Sequence, residues 1–271
     1  MKIIILGSTG MMGSMLSFYC NRQNINHLCI TRSMFNASNQ SVDDLDSILS
    51  KEDKDMVIVN GIGCIPQRKY TDKDYTEINH IFPISLSHYC KERNIPLIHI
   101  STNCVFSGDR SMQDEECVPD ARDMYGLSKA RGEPKHGLVI RTSIIGPERE
   151  SAFGLMSWFV NSNEKIKGYT NHYWNGITTL ELAKYIIEII SKKEINSCLR
   201  HLYSEQVSKY ELLCHINDIF KLNKEIEPVE MKLKYYTLNS TKTLPRKSIF
   251  YQLQDIQEIY DEFMQYKTND L

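Results

Sequence analysis

The chain has 271 residues, enough for one large α/β domain or two small ones. Hydrophobic residues make up 41% and charged residues 24%, an ordinary soluble composition, and a formal net charge of −2 gives no footprint for nucleic acid. No apolar run approaches the roughly 20 residues needed to span a bilayer.

Taken in chain order, the first half alternates short apolar runs with helical stretches, the pattern of a parallel sheet with crossover helices. Residues 2–6 are too short for a signal peptide and read as a buried strand. Helices are predicted over 13–20, 43–49, 79–93 and 125–133, and strands over 27–31, 56–60, 96–101 and 137–141. Beyond about residue 146 the pattern loosens. Residues 178–190 form an amphipathic helix, Ser208-Lys209-Tyr210-Glu211 fits a capping box opening a helix to about Leu222, and 253–263 reads as a last helix. The segment 228–245 is mixed strand and loop. The expected architecture is a doubly wound Rossmann-type α/β sheet over residues 1–150, with a smaller substrate-binding region over 151–271 interleaved with it.

The strand 2–6 runs into Gly7-Ser8-Thr9-Gly10-Met11-Met12-Gly13, which in turn opens a helix. That context gives a G-x-x-G-x-x-G loop its meaning as a dinucleotide site. Gly7 permits the tight turn, Gly10 lets a pyrophosphate approach the backbone, and Gly13 allows close helix–strand packing. Thr9, Met11 and Met12 are the intervening residues expected at the cofactor, with the amides of the helix start holding phosphate. The second strand ends in Thr31-Arg32-Ser33, where an NAD site usually has an acidic residue for the ribose 2′-hydroxyl. A guanidinium suits a 2′-phosphate, so Arg32 favours NADPH. The competing readings are a ligand-free glycine turn and an exposed loop arginine.

Tyr125 and Lys129 are four apart and share one face of a helix. A phenol with a pKa of about 10 is a poor acid at neutral pH, and a neighbouring ammonium is expected to lower that value. Ahead of this helix, the strand ending in Ser101-Thr102-Asn103-Cys104 supplies a hydroxyl that can donate to an oxygen where charge develops.

Five stretches together resemble one family: Gly7 to Gly13, Asn60-Gly61-Ile62-Gly63, Ser101 to Gly108, Tyr125-Gly126-Leu127-Ser128-Lys129-Ala130-Arg131-Gly132-Glu133, and Asn175 to Lys184. The chain is similar to the extended short-chain dehydrogenases/reductases of the dTDP-4-dehydrorhamnose reductase type. The resemblance implies NADPH-dependent reduction of the 4-keto group of a nucleotide-diphosphate-linked 4-keto-6-deoxyhexose, carried by dTDP or UDP, in deoxysugar biosynthesis. It makes Tyr125 the general acid, Lys129 the holder of the nicotinamide ribose, and Thr102 the catalytic hydroxyl with Ser101 beside it. Asn60 and Gly61 would lie along the cofactor, and Arg141-Thr142-Ser143 would follow the strand leading to the substrate.

The chain departs from that pattern at Asn103-Cys104, where the simple reductases have Asp-Tyr. A cysteine at Cys104 resembles the epimerase-reductases, in which a thiol exchanges a ring proton beside the keto group. A 4-keto group acidifies its neighbours, and a thiol pKa near 8.5 is within reach. A small buried cysteine at a strand end is the equally weighted alternative. The second acid/base such an enzyme needs has only His172 and Lys69 as candidates, without motif support. Gly61, Ile62 and Gly63 replace the alanines usual after the asparagine.

Trp158, Tyr169, His172, Tyr173 and Trp174 form an aromatic-rich region suited either to stacking on a base or to packing. The eight cysteines form no C-x-x-C pair and the histidines complete no zinc pattern, so reduced thiols, no metal and a cytoplasmic location are expected. The expected partners are a nucleotide-sugar substrate and a second copy in a homodimer, with no membrane. A non-catalytic NADP-binding regulatory subunit is a different class of reading, weighed down by the presence of both Tyr125 and Lys129.

Overall fold

The computed structural model describes residues 1–49, 55–149 and 153–266. Five strands of the first half, β1 (Lys2–Leu6), β2 (His27–Ile30), β3 (Met56–Asn60), β4 (Leu97–Thr102) and β5 (Leu138–Thr142), lie in one parallel sheet. Small strands follow in chain order: β6 (Ile144–Ile145), β7 (Ile166–Tyr169), β8 (His172–Trp174) and β9 (Ile177–Thr178). β10 (Cys198–His201) then returns to the main sheet, whose order is β10-β5-β4-β3-β1-β2. The last strands are β11 (Val207–Ser208), β12 (Ile226–Val229) and β13 (Lys234–Tyr236). β8 lies between β11 and β13, β7 pairs with β12, and β6 pairs with β9.

Side chains of a strand alternate between faces, and both faces of this sheet are covered. Ile3 and Ile5 point into one apolar cluster, Ile4 and Leu6 into another. The first cluster is closed by α1 (Met11–Arg22), α6 (Thr179–Ser191) and α8 (Ile249–Gln265). Along α8, Ile249, Leu253, Ile256, Ile259 and Phe263 recur at helical spacing and are buried, with Phe263 edge-on to Phe18 at 5.5 Å. The second cluster is closed by α3 (Phe82–Glu92) and a 3-10 segment Val42–Ser47. α1 packs on α6, so one apolar cluster runs across residue 150.

The helix expected over 79–93 starts earlier. Thr71 and Asp74 form a capping box that opens α2 (Asp72–Asp74), which continues as a π-helical segment, Tyr75–Ile81, into α3. The Thr71-x-x-Asp74 spacing was the available signal. The segment expected as a helix over 43–49 is 3-10. The remaining helices are α4 (Met124–Arg131), α5 (Leu155–Asn161) and α7 (Lys209–Ile219). Among the described residues, no helix is long and apolar enough to cross a membrane, no group of three or more metal-binding side chains gathers, and the cysteines are free thiols.

Candidate active site

A cavity of about 950 Å³ opens at the carboxyl ends of the parallel strands, within the range of small-molecule sites. Five of the six strand ends deliver residues to it: Gly7 after β1, Thr31 and Arg32 after β2, Gly61 after β3, Thr102 and Cys104 at the end of β4, and Thr142 and Ser143 at the end of β5. In open α/β sheets this is where ligands bind.

The glycine loop forms one wall. Gly7 has φ +76°, open to glycine and strained for other residues, and its carbonyl accepts from Gly10 N at 3.0 Å. A Cβ on Gly13 would lie 2.3 Å from that same carbonyl oxygen, so α1 can approach β1 this closely only with glycine there. Gly10 caps α1, and no side chain takes up the first amides of the helix. Gly7, Thr9, Gly10, Met11 and Met12 line the cavity, while Gly13 faces the packing interface behind it. Arg32 lines the cavity just after β2, whose Ile30 carbonyl accepts from Gly7 N at 3.2 Å, and its guanidinium is 3.4 Å from the Tyr70 hydroxyl.

The chemistry-bearing groups meet where β4 ends. Thr102 accepts from Cys104 N at 3.1 Å, turning the chain into a short 3-10 segment, Asn103–Val105. Asp123 caps α4 through Gly126 N at 2.8 Å. A Cβ on Gly126 would sit 2.2 Å from Cys104 O, so glycine at this position lets the Tyr125 helix lie directly on the Cys104 turn. Thr102, Cys104, Tyr125 and Lys129 thereby share the cavity, with Ser101 beside them.

The electrostatics differ from the sequence expectation. Burial pushes the Tyr125 hydroxyl well above its ordinary value, the Cys104 thiol adds to this, and the hydrogen bond with Thr102 works against both. Burial therefore outweighs the lowering expected from Lys129. Lys129 donates to Ile100 O at 2.8 Å, and burial depresses its pKa to about 8 against the opposing pull of Glu133 and Cys64. Burial also raises the Cys104 thiol, countered in part by Thr102.

Asn60 is placed differently from the expectation. It is fully buried outside the cavity lining, where it accepts from Ile62 N at 3.0 Å and meets His99 Nδ1 at 3.1 Å. It shapes the loop carrying Gly61 instead of lying along the cavity. Ser101 lines the cavity, but its hydroxyl donates to Glu133 at 2.6 Å. Arg141 is buried in an ion pair with Glu133, while Thr142 and Ser143 reach the cavity. Lys69 lies outside the lining, and His172 is within it with Nε2 2.9 Å from Lys232 O. Of the aromatic group, Trp158, Tyr169, His172 and Trp174 line the cavity, whereas Tyr173 stacks on Tyr235.

Two residues went unnoticed in the sequence. Asn79, buried in the π-helical segment, accepts from Cys64 N at 2.8 Å and donates to Cys64 O and to Ser128 Oγ, one residue before Lys129. A buried asparagine beside the apolar stripe Ile78, Phe82 and Leu86 was its only signal. Lys209 enters the cavity from α7, and nothing in its local sequence marks it.

Comparison with known proteins agrees with this fold. Against solved structures, the fold matches dTDP-4-dehydrorhamnose reductase from Bacillus anthracis in complex with NADP, with a TM-score of 0.79, 20% identity, and coverage of 94% of this chain and 96% of that one. It also matches UDP-N-acetylglucosamine 4-epimerase from Bacillus cereus, with a TM-score of 0.75, 18% identity and 99% coverage of both chains. Among curated proteins, the chain is similar to methionine adenosyltransferase 2 subunit beta of Bos taurus, 26% identical over 150 residues, which is 49% of this chain and 45% of the relative. The chain thus spans about half the length of the curated relatives it matches. The model of the RmlD substrate binding domain family matches residues 1–248, and with it the resemblance carried by the five stretches is settled: the chain belongs to that family.

Proposed function

We propose that the protein is an NADPH-dependent reductase of the 4-keto group of a nucleotide-diphosphate-linked 4-keto-6-deoxyhexose. The observation that carries this reading is the convergence of Thr102, Tyr125 and Lys129 on one cavity whose far wall is the glycine loop. The loop fits a dinucleotide: the Gly10 cap gives the first amides of α1 no side-chain partner, and Gly7, Gly10 and these amides line the cavity where a phosphate would lie. When bound, NADPH supplies a hydride to the carbonyl carbon. Tyr125 gives the proton to the carbonyl oxygen, and its raised pKa keeps that proton in place until it is needed. Thr102 holds the same oxygen by a hydrogen bond. Lys129, fixed on Ile100 O, sets positive charge under the reacting groups.

The test is incubation with NADPH and a panel of dTDP- and UDP-linked 4-keto-6-deoxy sugars, with NMR of the products. Tyr125→Phe keeps the ring and removes the donor, so turnover falls by roughly 10²–10⁴ while NADPH still binds. Near-normal turnover in the variant removes Tyr125 as the acid.

A second reading, a bifunctional 3- or 3,5-epimerase/4-reductase, is favoured by the half-buried Cys104 facing the cavity beside Thr102. In D₂O such an enzyme labels C3, or C3 and C5, of the product, and Cys104→Ser loses the label while still reducing a correctly configured substrate. A product free of solvent deuterium leaves the simple reductase. The similarity to a methionine adenosyltransferase subunit supports a third reading, a non-catalytic NADP-binding subunit, which predicts NADPH binding with no turnover of any sugar in the panel.

A further inference from the structure

Lys209 is an ammonium whose position is poorly explained by the fold alone. It is the first residue of α7, directly after the Ser208 cap, where the helix dipole is positive and opposes a cation. Among the described residues, no carboxylate lies within ion-pair distance of it. Its ammonium lies 5.7 Å from the centre of the Trp174 ring and 6.0 Å from that of Tyr236. These rings and Lys209 line the same cavity as Thr102, Cys104 and Tyr125. Burial depresses its pKa to about 8, with the Cys104 thiol acting in the opposite direction as the neighbouring group. A half-buried cation held against two aromatic rings, without an acid of its own, offers its charge to whatever fills the cavity.

We propose that Lys209 is an anion-binding residue of the substrate half of the cavity, receiving a phosphate or carboxylate oxygen carried by the substrate. Its place supports this. On the proposed reading Thr102 and Tyr125 hold the reacting carbonyl, Cys104 follows Thr102 by two residues, and Lys209 is near enough to Cys104 to feel its charge while it lies against Trp174. On the nucleotide-sugar reading the anion is either the diphosphate linkage or a carboxylate on the sugar ring. The anion site itself stands apart from that reading, which supplies only the identity of the ligand.

The experiment is calorimetric titration of the NADPH-loaded protein with four probes, inorganic pyrophosphate, UDP, UDP-glucose and UDP-glucuronate, in the wild type, Lys209→Met and Lys209→Arg. Lys209→Arg keeps the charge and serves as the control for folding, alongside equal melting temperatures. Lys209→Met is expected to weaken anion binding by about tenfold to a hundredfold, Lys209→Arg by no more than a few fold, and NADPH affinity is unchanged in both. A loss shared by pyrophosphate and UDP assigns Lys209 to the diphosphate. A loss confined to UDP-glucuronate assigns it to a ring carboxylate. Equal affinity of wild type and Lys209→Met for all four probes overturns the proposal, and so does a wild type that binds none of them. Lys209-dependent binding of pyrophosphate without binding of any uridine nucleotide keeps the anion site and removes the UDP-linked form of the nucleotide-sugar reading.

Discussion

Arg141 grips Glu133 through two parallel hydrogen bonds, Nε to Oε1 and Nη2 to Oε2, both 2.7 Å long and both largely out of water. The same carboxylate accepts from Ser101, and the guanidinium also reaches His201 on β10. The pair therefore ties the loop after the Tyr125 helix to three strands. Removing one partner of such a pair strands a buried charge. Glu133→Gln is expected to destabilise the protein by about 3–5 kcal/mol, measured by denaturant unfolding. A loss under 1 kcal/mol shows that water, not Glu133, satisfies Arg141.

Arg32 faces the cavity after β2, where a 2′-phosphate would be read. Arg32→Ala is expected to weaken NADPH binding by roughly 1.5–3 kcal/mol and leave NADH binding nearly unchanged. Equal wild-type affinity for the two dinucleotides contradicts the assignment.

Lys129 makes stability depend on pH in a defined direction. Its folded pKa of about 8 lies below the ordinary 10.5. Below pH 8 both folded and unfolded chains hold the proton, and the full penalty of the buried charge, about 3 kcal/mol, is present. Between pH 8 and 10.5 the folded chain loses its proton first, so the wild type gains stability as pH rises. Relative to Lys129→Met, the wild type should gain about 2–3 kcal/mol between pH 7 and pH 10. A difference that stays flat with pH shows that the ammonium is well solvated.

Gly13→Ala places a methyl group against the Gly7 carbonyl, which is backbone and cannot swing aside. A loss of about 1–3 kcal/mol is expected. NADPH affinity should fall with it, because the loop moves with α1. Unfolding and dinucleotide titration of the same variant read the two effects separately. An unchanged melting temperature refutes the close approach.

The parallel sheet was legible because β1 and β3 are nearly continuous apolar runs, and because glycine loop, Tyr125 and Lys129 carry their chemistry at fixed spacings. β10 was not. Its four residues, Cys198-Leu199-Arg200-His201, lie at a sheet edge, only one of them fully buried, so the run has neither the length nor the hydrophobicity of a central strand. The Tyr125 electrostatics were misjudged because spacing shows that an ammonium is near but not how dry the site is. Lys209 reaches the cavity from a distant helix start, and Asn79 braces Cys64 and Ser128 behind it from a π-helical turn; such long-range placement leaves no local mark.

The late arrival of β10 bears on how the chain matures during synthesis. Domains generally fold from the N-terminus as they emerge. Here the β5 ladder, Leu138–Thr142, stays open along one side until Cys198–His201 is made and pairs with it. An unpaired strand edge is a template for wrong partners. α8 covers α1 and its side of the sheet later still. A nascent chain halted before residue 198 should therefore associate through that open side, and one extended past residue 201 should not. Crosslinking of arrested chains of the two lengths distinguishes them.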